Sequence, residues 1–405
     1  MITTLRTTSA ATGGGKAAAL AVLLREGLPV PDGFVVSFAA HRAAHADSAL
    51  TVTRELHNAL AWHLAQLGDP PMAVRSSAAN DDTAHGSAAG QYESVLAVQG
   101  ARAVAEAVRV CWASSASERA ADYWTHLEHQ ADVPDMAVIV QRLIDADVSG
   151  VMFTPAAPGG STRIEASWGL GPSVVGGTVT PDAYEVASDG SVRCTIGRKT
   201  TRLDRDGIGL ASRLVPEEQQ TRPALDDTTA TALATLGRRI ADLFGRPQDV
   251  EWALAGGKVW ILQARPITAD LPLLPPTAPI DGEAALSGTP GAHGTVTGTA
   301  RVLRGPADFP RLRPGDIAVC PYTDPAWTPL FRIAAAVVTE TGGALSHAAI
   351  VAREHGIPAV LGVPHATARI QDGTLITVNG TEGTVSQHEA GSVSPGPEPY
   401  SCRAV

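Results

Sequence analysis

Cysteine, aromatic residues and positive charge are all scarce in this 405-residue chain. Its four cysteines lie far apart, so none pairs in a zinc or redox motif and no disulfide framework is expected. Lys and Arg number 31 against 41 Asp and Glu, which gives a formal net charge of -10. Because a protein that holds nucleic acid by its phosphates needs a basic surface, this balance argues against a nucleic-acid partner.

Long apolar runs are also missing. No stretch approaches the roughly 20 apolar residues that span a bilayer, and the N-terminal sequence MITTLRTTSAATGGGK lacks the apolar core of a signal peptide. The sequence therefore predicts a soluble protein with no membrane partner, located in a reducing cytoplasm. What the chain does have is 44% hydrophobic residues, enough for two or three globular domains.

Composition divides the chain into four segments. Residues 1–268 mix alanine-rich helical stretches such as ARAVAEAVRVCWASSASERAADYW with β-branched runs such as MAVIVQRLI and GKVWILQARPIT, which predicts an α/β domain. Residues 269–288 contain four prolines and predict a linker. Residues 289–386 carry strand-like runs (TVTGTARVL, DIAVCPY, AAAVVTE, LITVNG) and one clear helix, whereas the small, proline-rich 387–405 predicts a disordered tail.

The stretch VVTETGGALSHAAIVAREHGIPAVLGV, residues 337–363, predicts that helix, which stops at Gly356 and Pro358. His347 falls in its first turn, where free backbone N–H groups and the helix dipole stabilise an anion. An imidazole there is suited to accept a phosphoryl group as a covalent nucleophile. The alternative is one ordinary histidine among twelve, and that reading is preferred for His355, a cation at the C-terminal end of the same helix.

Together with the upstream PYTDPAWTPLF, this stretch resembles the swivelling phosphohistidine domain of the phosphoenolpyruvate-utilising enzymes, which include phosphoenolpyruvate synthase, pyruvate phosphate dikinase and the rifampicin phosphotransferases. The resemblance covers about the last hundred residues before the tail. His347 lies at the position of the histidine that the family phosphorylates.

Two N-terminal segments suggest phosphate contacts. In GGGKAAALAVLLREGLPVPDGFVVS, Lys16 follows a glycine run and precedes a helical stretch, a recurring phosphate-binding arrangement. In MAVRSSAANDDTAHGSAAGQYESVL, Arg75 ends a strand-like run before a small polar segment that would close over phosphates. Taken alone, Lys16 fits a solvated lysine on a flexible turn, and Arg75 fits a surface partner of Asp81 or Asp82. Together the segments resemble the family's ATP-grasp nucleotide-binding domain.

The stretch DVEWALAGGKVWILQARPIT predicts a β-hairpin that turns at Gly256 and Gly257. It brings Glu251 near Gln263, and two oxygen-bearing side chains on adjacent strands suit a Mg²⁺ ion that shares its other positions with phosphate and water. Arg265 lies on the same strand face as Gln263 because strand side chains alternate. The alternative is a surface hairpin with scattered polar residues. The resemblance favours the metal site, since the family has its metal-binding Glu and Gln on this motif.

Two further stretches resemble the family. VIVQRLIDADVSGVMFT matches the strand and hinge that receive adenine, with Gln141 at the matching position. EASWGLGPSVVGGTVTPDAYEV matches a common segment whose glycines suggest close backbone approach to ligand, with Asp182 and Lys199 as further candidates against the alternative of surface charges. The resemblance thus implies an α/β protein with an ATP-grasp domain followed by a swivelling β/β/α phosphohistidine domain.

The resemblance also implies a mechanism. ATP binds with Mg²⁺ on Glu251 and Gln263, His347 takes a phosphoryl or pyrophosphoryl group, and AMP and Pi are the expected products. Full-length members carry a further domain that binds the acceptor. At the corresponding point this sequence has only the predicted linker, residues 269–288. Two functions remain open: a compact phosphotransferase with a small-molecule acceptor, and a phosphocarrier subunit that serves an acceptor on a separate partner protein. A non-catalytic binding protein ranks third, because every candidate site residue is present.

Overall fold

The computed structural model describes residues 1–45, 50–81, 91–117, 120, 134–267 and 285–388. The N-terminal region, residues 1–267, has two large antiparallel sheets and a separate two-stranded hairpin, and the C-terminal region, residues 285–388, has one mixed sheet. No helix among these described residues is long and apolar enough to cross a membrane.

The first sheet forms the outer part of the N-terminal region. Its strands run in the spatial order β1 (Ile2–Thr4), β2 (Gly33–Val36), β5 (Met136–Arg142), β3 (Met72–Ala78) and β4 (Ser94–Val98). One face packs on α1 (Ala10–Arg25) and the other on α2 (Phe38–His45), α3 (Arg54–Gln66) and α4 (Ala101–Ser114). In α3 the four-residue spacing of Leu56, Leu60 and Leu64 puts three leucines on the buried face.

The second sheet carries most of the candidate metal and phosphate residues. Its spatial order is β13 (Lys258–Pro266), β12 (Gln248–Ala255), β6 (Val148–Phe153), β7 (Thr162–Trp168), β8 (Asp182–Val186) and β9 (Val192–Thr195). The helix α7 (Asp227–Phe244) covers one face; Asp226 caps its start by accepting from the Thr229 amide, and Gly245 ends it with a left-handed φ of 66°. The remaining elements are short: helices α5 (Pro172–Val175) and α6 (Glu217–Gln220), and the hairpin of β10 (Thr201–Asp206) and β11 (Gly209–Leu214).

The third sheet organises the C-terminal region. Its spatial order is β14 (Ala285–Ser287), β21 (Thr384–Gln387), β20 (Leu375–Asn379), β16 (Thr295–Val302), β17 (Ile317–Cys320), β18 (Ala336–Thr339), β19 (Ala359–Leu361) and β15 (Thr289–Ala292). The four strands β16 to β19 are parallel. Strands β17, β18 and β19 are apolar along their length because both faces are covered, one of them by α8 (His347–Glu354). The described residues also form the short helix α9 (Ala366–Arg369) and 3₁₀ turns at Leu5–Thr7, Pro306–Arg311 and Pro325–Arg332.

The mixed α/β fold class predicted from the sequence is confirmed, and all four strand-like runs of the C-terminal segment form strands β16, β17, β18 and β20. The predicted linker lies outside the described residues except for its last four positions, 285–288, and so does the predicted tail beyond residue 388. The two domain boundaries therefore stay predictions.

Candidate active site

The hairpin of β12 and β13 forms as its sequence predicts. Gly256 and Gly257 make a two-residue turn with φ values of 56° and 75°, a conformation that glycine adopts without strain. Glu251 and Gln263 are direct cross-strand partners, so their side chains lie on the same face of the sheet. Both line a cavity of about 420 Å³, within the size range of small-molecule sites.

Cationic side chains line the same cavity. Arg75, from strand β3 of the first sheet, lies with its Nη1 2.9 Å from the Glu251 carboxylate. Arg265, two residues after Gln263, lies with its Nε 2.8 Å from Asp249. Sequence reasoning left Arg75 with Asp81 or Asp82 as alternative partners; the structure pairs it with Glu251 instead, and Asp82 lies outside the described residues.

Lys16 reaches the cavity because helix α1 is kinked. Gly14 has φ 82° and ψ 174°, and a Cβ atom there would lie 2.8 Å from the carbonyl oxygen of Ser77. Only glycine fits both the conformation and the close approach to strand β3. The helix restarts directly after the kink, and Lys16 Nζ lies 3.1 Å from Asp81. The glycine run therefore seats the helix start, with its lysine, against the strand that carries Arg75.

Gln141 lies at another part of the cavity wall. It is 1% exposed, and its side-chain amide donates to the carbonyl oxygen of Pro31 at 3.3 Å. The next residues along the chain, Arg142 to Ile144, also line the cavity, together with Trp252 and Leu262. This apolar wall with adjacent backbone is the kind of surface that a flat heterocycle packs against.

His347 enters the cavity from the C-terminal region. It is the first residue of α8, as predicted, and it is only 4% exposed. Pro325, Leu345 and Ile350 of the same region line the cavity with it, together with the hairpin and the three candidate cations Lys16, Arg75 and Arg265. Arg142 is a fourth cationic residue of the lining. His355, at the other end of α8, is the C-cap residue and does not line the cavity.

Charge in the cavity is balanced between anions and cations. Burial by itself raises the pKa of Glu251, but the positive charges of Arg75, Arg265 and Lys16 outweigh it and the net shift is downward, so the carboxylate stays ionised. For Asp249 burial prevails and raises the pKa, although Arg265 offsets part of the effect. Glu251 therefore offers an anionic oxygen beside the side-chain amide of Gln263, and the chemistry of this donor pair fits Mg²⁺.

Sequence reasoning missed Asp249, which lines the cavity and holds Arg265. The alternation of strand side chains was the available signal, because Asp249, two residues before Glu251, shares its strand face.

The candidates Asp182 and Lys199 do not lie in the cavity. Both are fully buried and form an ion pair with each other, and Lys199 Nζ also donates to the carbonyl oxygen of Gln220 at 3.1 Å. The pair is structural. Of the neighbouring glycines, Gly171 and Gly176 line the cavity, whereas Gly177 does not. A Cβ at Gly177 would lie 3.3 Å from Ser346 Cβ, so this glycine admits the His347 loop rather than a ligand.

Taken together, the cavity brings a lysine from a glycine-kinked helix and an acid and amide pair from a hairpin next to a buried histidine from the C-terminal region. Family models match both halves. Residues 47–271 match the AMP/ATP-binding domain of pyruvate phosphate dikinase, and residues 312–383 match the mobile domain of PEP-utilising enzymes. The chain belongs to the family of PEP-utilising enzymes, with an ATP-grasp domain followed by the mobile domain.

Whole-chain relatives carry a consistent name. The chain is 34% identical to the probable phosphoenolpyruvate synthase of Methanothermobacter thermautotrophicus, with 92% of this chain and 61% of that protein covered. It is 35% identical to the probable phosphoenolpyruvate synthase of Archaeoglobus fulgidus and 32% identical to the phosphoenolpyruvate synthase of Aeropyrum pernix, covering 92% of this chain and 56% of each relative. The chain thus spans little more than half the length of these relatives.

Proposed function

We propose that the protein is an ATP-dependent phosphotransferase that phosphorylates its own His347 and passes the phosphoryl group to a small-molecule acceptor. One observation carries this proposal: His347, from the C-terminal region, lines the same cavity as Glu251, Gln263 and the three cations of the N-terminal region. A nucleophile and a set of phosphate-binding groups from separate units share one cavity. Family membership and the names of the relatives support the same reaction.

The cavity residues divide the work of binding ATP. Arg75, Arg265 and Lys16 offset the negative charge of the phosphates, and Gln141 lies beside the wall against which the adenine packs. Glu251 and Gln263 would hold Mg²⁺, which would neutralise negative charge that develops on the phosphates during transfer. Arg75 donates from Nη1 to Glu251 in this structure, and the other N–H groups of its guanidinium can donate to phosphate oxygens.

His347 carries out the covalent step. A ring nitrogen attacks the β-phosphorus of ATP, the bond from that phosphorus to the oxygen of AMP breaks, and a pyrophosphoryl group remains on the histidine. Water then releases the outer phosphate as Pi, which leaves phosphohistidine. In-line placement and charge stabilisation supply most of the catalysis in such transfers. The C-terminal region then turns away so that His347 meets the acceptor.

Labelling with phosphate tests the first half-reaction. Incubation with ATP labelled at the β-phosphate and Mg²⁺ is expected to give an acid-labile, base-stable phosphoprotein together with AMP and Pi. His347→Ala should abolish the label, whereas the matched control His355→Ala, at the other end of the same helix, should retain it. Label that persists in His347→Ala would rule out this histidine as the nucleophile.

The acceptor is tested by turnover. Given ATP, Mg²⁺ and a pool of small metabolites, the purified chain is expected to produce AMP and Pi continuously and one phosphorylated product, detected by mass spectrometry. Pyruvate is the first acceptor to test because the relatives are named phosphoenolpyruvate synthases.

A second candidate is a phosphocarrier that passes the phosphoryl group from His347 to an acceptor held by a separate partner protein. Phosphoenzyme that forms stoichiometrically and is discharged only by added cell protein would favour this second function over the first.

A further inference from the structure

One row of side chains crosses the second sheet beneath the His347 loop. Gln263 pairs with Glu251, Glu251 with Val151, and Val151 with Glu165 in the cross-strand register. Direct cross-strand partners point to the same face, so all four side chains lie in line. With neighbouring strands about 4.8 Å apart, Glu165 lies two strands, or about 10 Å, from Glu251. Gln263 and Glu251, at one end of this row, have a role in the proposed reaction, whereas Glu165, at the other end, has none so far.

Glu165 contacts the His347 loop directly. Its carboxylate, on strand β7 of the N-terminal region, lies against the loop at Gly343. The residue is only 3% exposed; burial raises its pKa, and the backbone amides of Leu345 and Ala344 and the positive charges of Arg353 and Arg163 oppose that shift. A buried carboxylate is costly unless polar or charged groups offset its loss of water, and here the two amides and Arg353 come from the other region of the protein.

Gly343 provides the space for this contact. A Cβ atom at Gly343 would overlap both carboxylate oxygens of Glu165. The backbone φ of Gly343 lies outside the left-handed region, so its conformation is open to any residue. Glycine is therefore required at this position by the approach of Glu165 rather than by the backbone.

Contacts before and after Gly343 also hold the His347 loop on the N-terminal region. The Thr341 hydroxyl donates to the Gly177 carbonyl oxygen at 2.7 Å, and the Gly342 amide donates to the Val179 carbonyl oxygen at 3.2 Å. Leu345 and Ile350 pack against an apolar group on the N-terminal region that includes Val151, the member of the row between Glu165 and Glu251. The loop is therefore held both at Glu165 and by this apolar group, and His347 follows Leu345 two residues later along the chain.

We propose that Glu165 is a positioning residue that docks the His347 loop on the ATP-binding domain, through the gap at Gly343. This inference rests on the proposed function, because it assigns the contact to the phosphorylation step. The shared row sets the register: a loop seated on Glu165 and Val151 places His347 over the phosphates held at Glu251 and Gln263. Transfer to the acceptor takes place after this contact has opened, so it does not depend on Glu165.

The decisive variant is Gly343→Ala, whose methyl group collides with Glu165. At saturating ATP its single-turnover rate of His347 labelling is expected to fall about 100-fold, the scale of a displacement of about 1 Å in a reacting group. The dissociation constant for ATP, measured by equilibrium dialysis, should stay unchanged. Gly305→Ala is the matched control, because a methyl group there meets no atom within 4 Å and the φ of 170° is extended backbone.

A double variant separates docking from misfolding. Adding Glu165→Ala to Gly343→Ala removes the collision, so the labelling rate of the double variant should be at least about tenfold higher than that of Gly343→Ala. Glu165→Ala alone should lower the labelling rate and leave the affinity for ATP unchanged. Wild-type labelling by Gly343→Ala, or no recovery in the double variant, would overturn the proposal.

Hydrogen exchange tests docking without catalysis. The segment that contains Ala344 and Leu345 should exchange faster in Gly343→Ala than in the wild type and at the wild-type rate in Gly305→Ala. Equal exchange in all three proteins would refute docking through Glu165 even if His347 is phosphorylated. Conversely, faster exchange in Gly343→Ala with no labelling of the wild type would sustain the docking contact and refute the proposed function.

Discussion

Glu165 gives the docking contact a pH dependence of defined sign. Burial raises the pKa of its carboxyl from 4.5 to about 7, against the opposing effect of the Leu345 and Ala344 amides and of Arg353. The pKa is raised in the docked state, so docking is at full strength below the undocked pKa. It weakens as the pH rises and levels off once the pH exceeds about 7.

The size of the effect follows from the two pKa values. Undocking exposes Glu165 and returns its pKa towards 4.5, so the difference of about 2.5 units amounts to about 3 kcal/mol. Between pH 5 and pH 8 the ratio of docked to undocked molecules should therefore fall by roughly two orders of magnitude at most. Glu165→Gln removes the ionisation, while its amide oxygen can still accept from the loop.

The assay compares wild type with Glu165→Gln at each pH. Hydrogen-exchange protection of the segment around Ala344 and Leu345 is measured in both proteins from pH 5 to pH 8. The ratio between them cancels the intrinsic pH dependence of exchange. Protection in the wild type should decline relative to Glu165→Gln as the pH rises. A ratio that stays constant across this range would show that Glu165 keeps one protonation state, and the reasoning from its burial would be wrong.

Two further predictions concern the candidate Mg²⁺-binding residues Glu251 and Gln263 and the buried ion pair of Asp182 and Lys199. Glu251→Gln removes the charged ligand beside Gln263, so His347 labelling should fall by orders of magnitude with the fold retained by circular dichroism; global unfolding would instead make Glu251 structural. Lys199→Met leaves the buried carboxylate of Asp182 without its cation and should lower the free energy of unfolding by about 3 to 5 kcal/mol in urea titrations, whereas a loss below about 1 kcal/mol would contradict a fully buried pair.

Features written in short stretches could be predicted from the sequence. The hairpin around Gly256 and Gly257, the start of α8 at His347 and four of the eight strands of the third sheet (β16, β17, β18 and β20) follow from local turn chemistry, capping and apolar patterning. These signals act within about twenty residues, so the chain itself specifies them. The resemblance of the same stretches to a known family then identified the residues to examine.

Partners far apart in the chain were decided only by tertiary structure. Arg75 pairs with Glu251, and Lys16 with Asp81, because the two N-terminal sheets and the kinked helix meet at one cavity. Asp182 and Lys199 were candidates for the ligand site, with surface charges as the alternative, and both are fully buried in an ion pair with each other. No local pattern distinguishes these outcomes, since each depends on which strands become neighbours.

The contact of Glu165 with the His347 loop, between the two regions, is another that local sequence patterns do not predict. Glu165 is the first residue of the stretch EASWGLGPSVVGGTVTPDAYEV, but nothing in that stretch predicts its contact, which depends on the register of β7, β6 and β12 and on the approach of a loop some 180 residues later in the chain. The sequence by itself determined two local structures that carry candidate site residues, the hairpin with Glu251 and the helix that begins at His347. Their alignment across one sheet was decided by the tertiary structure, because strand register and docking depend on contacts that no single stretch contains.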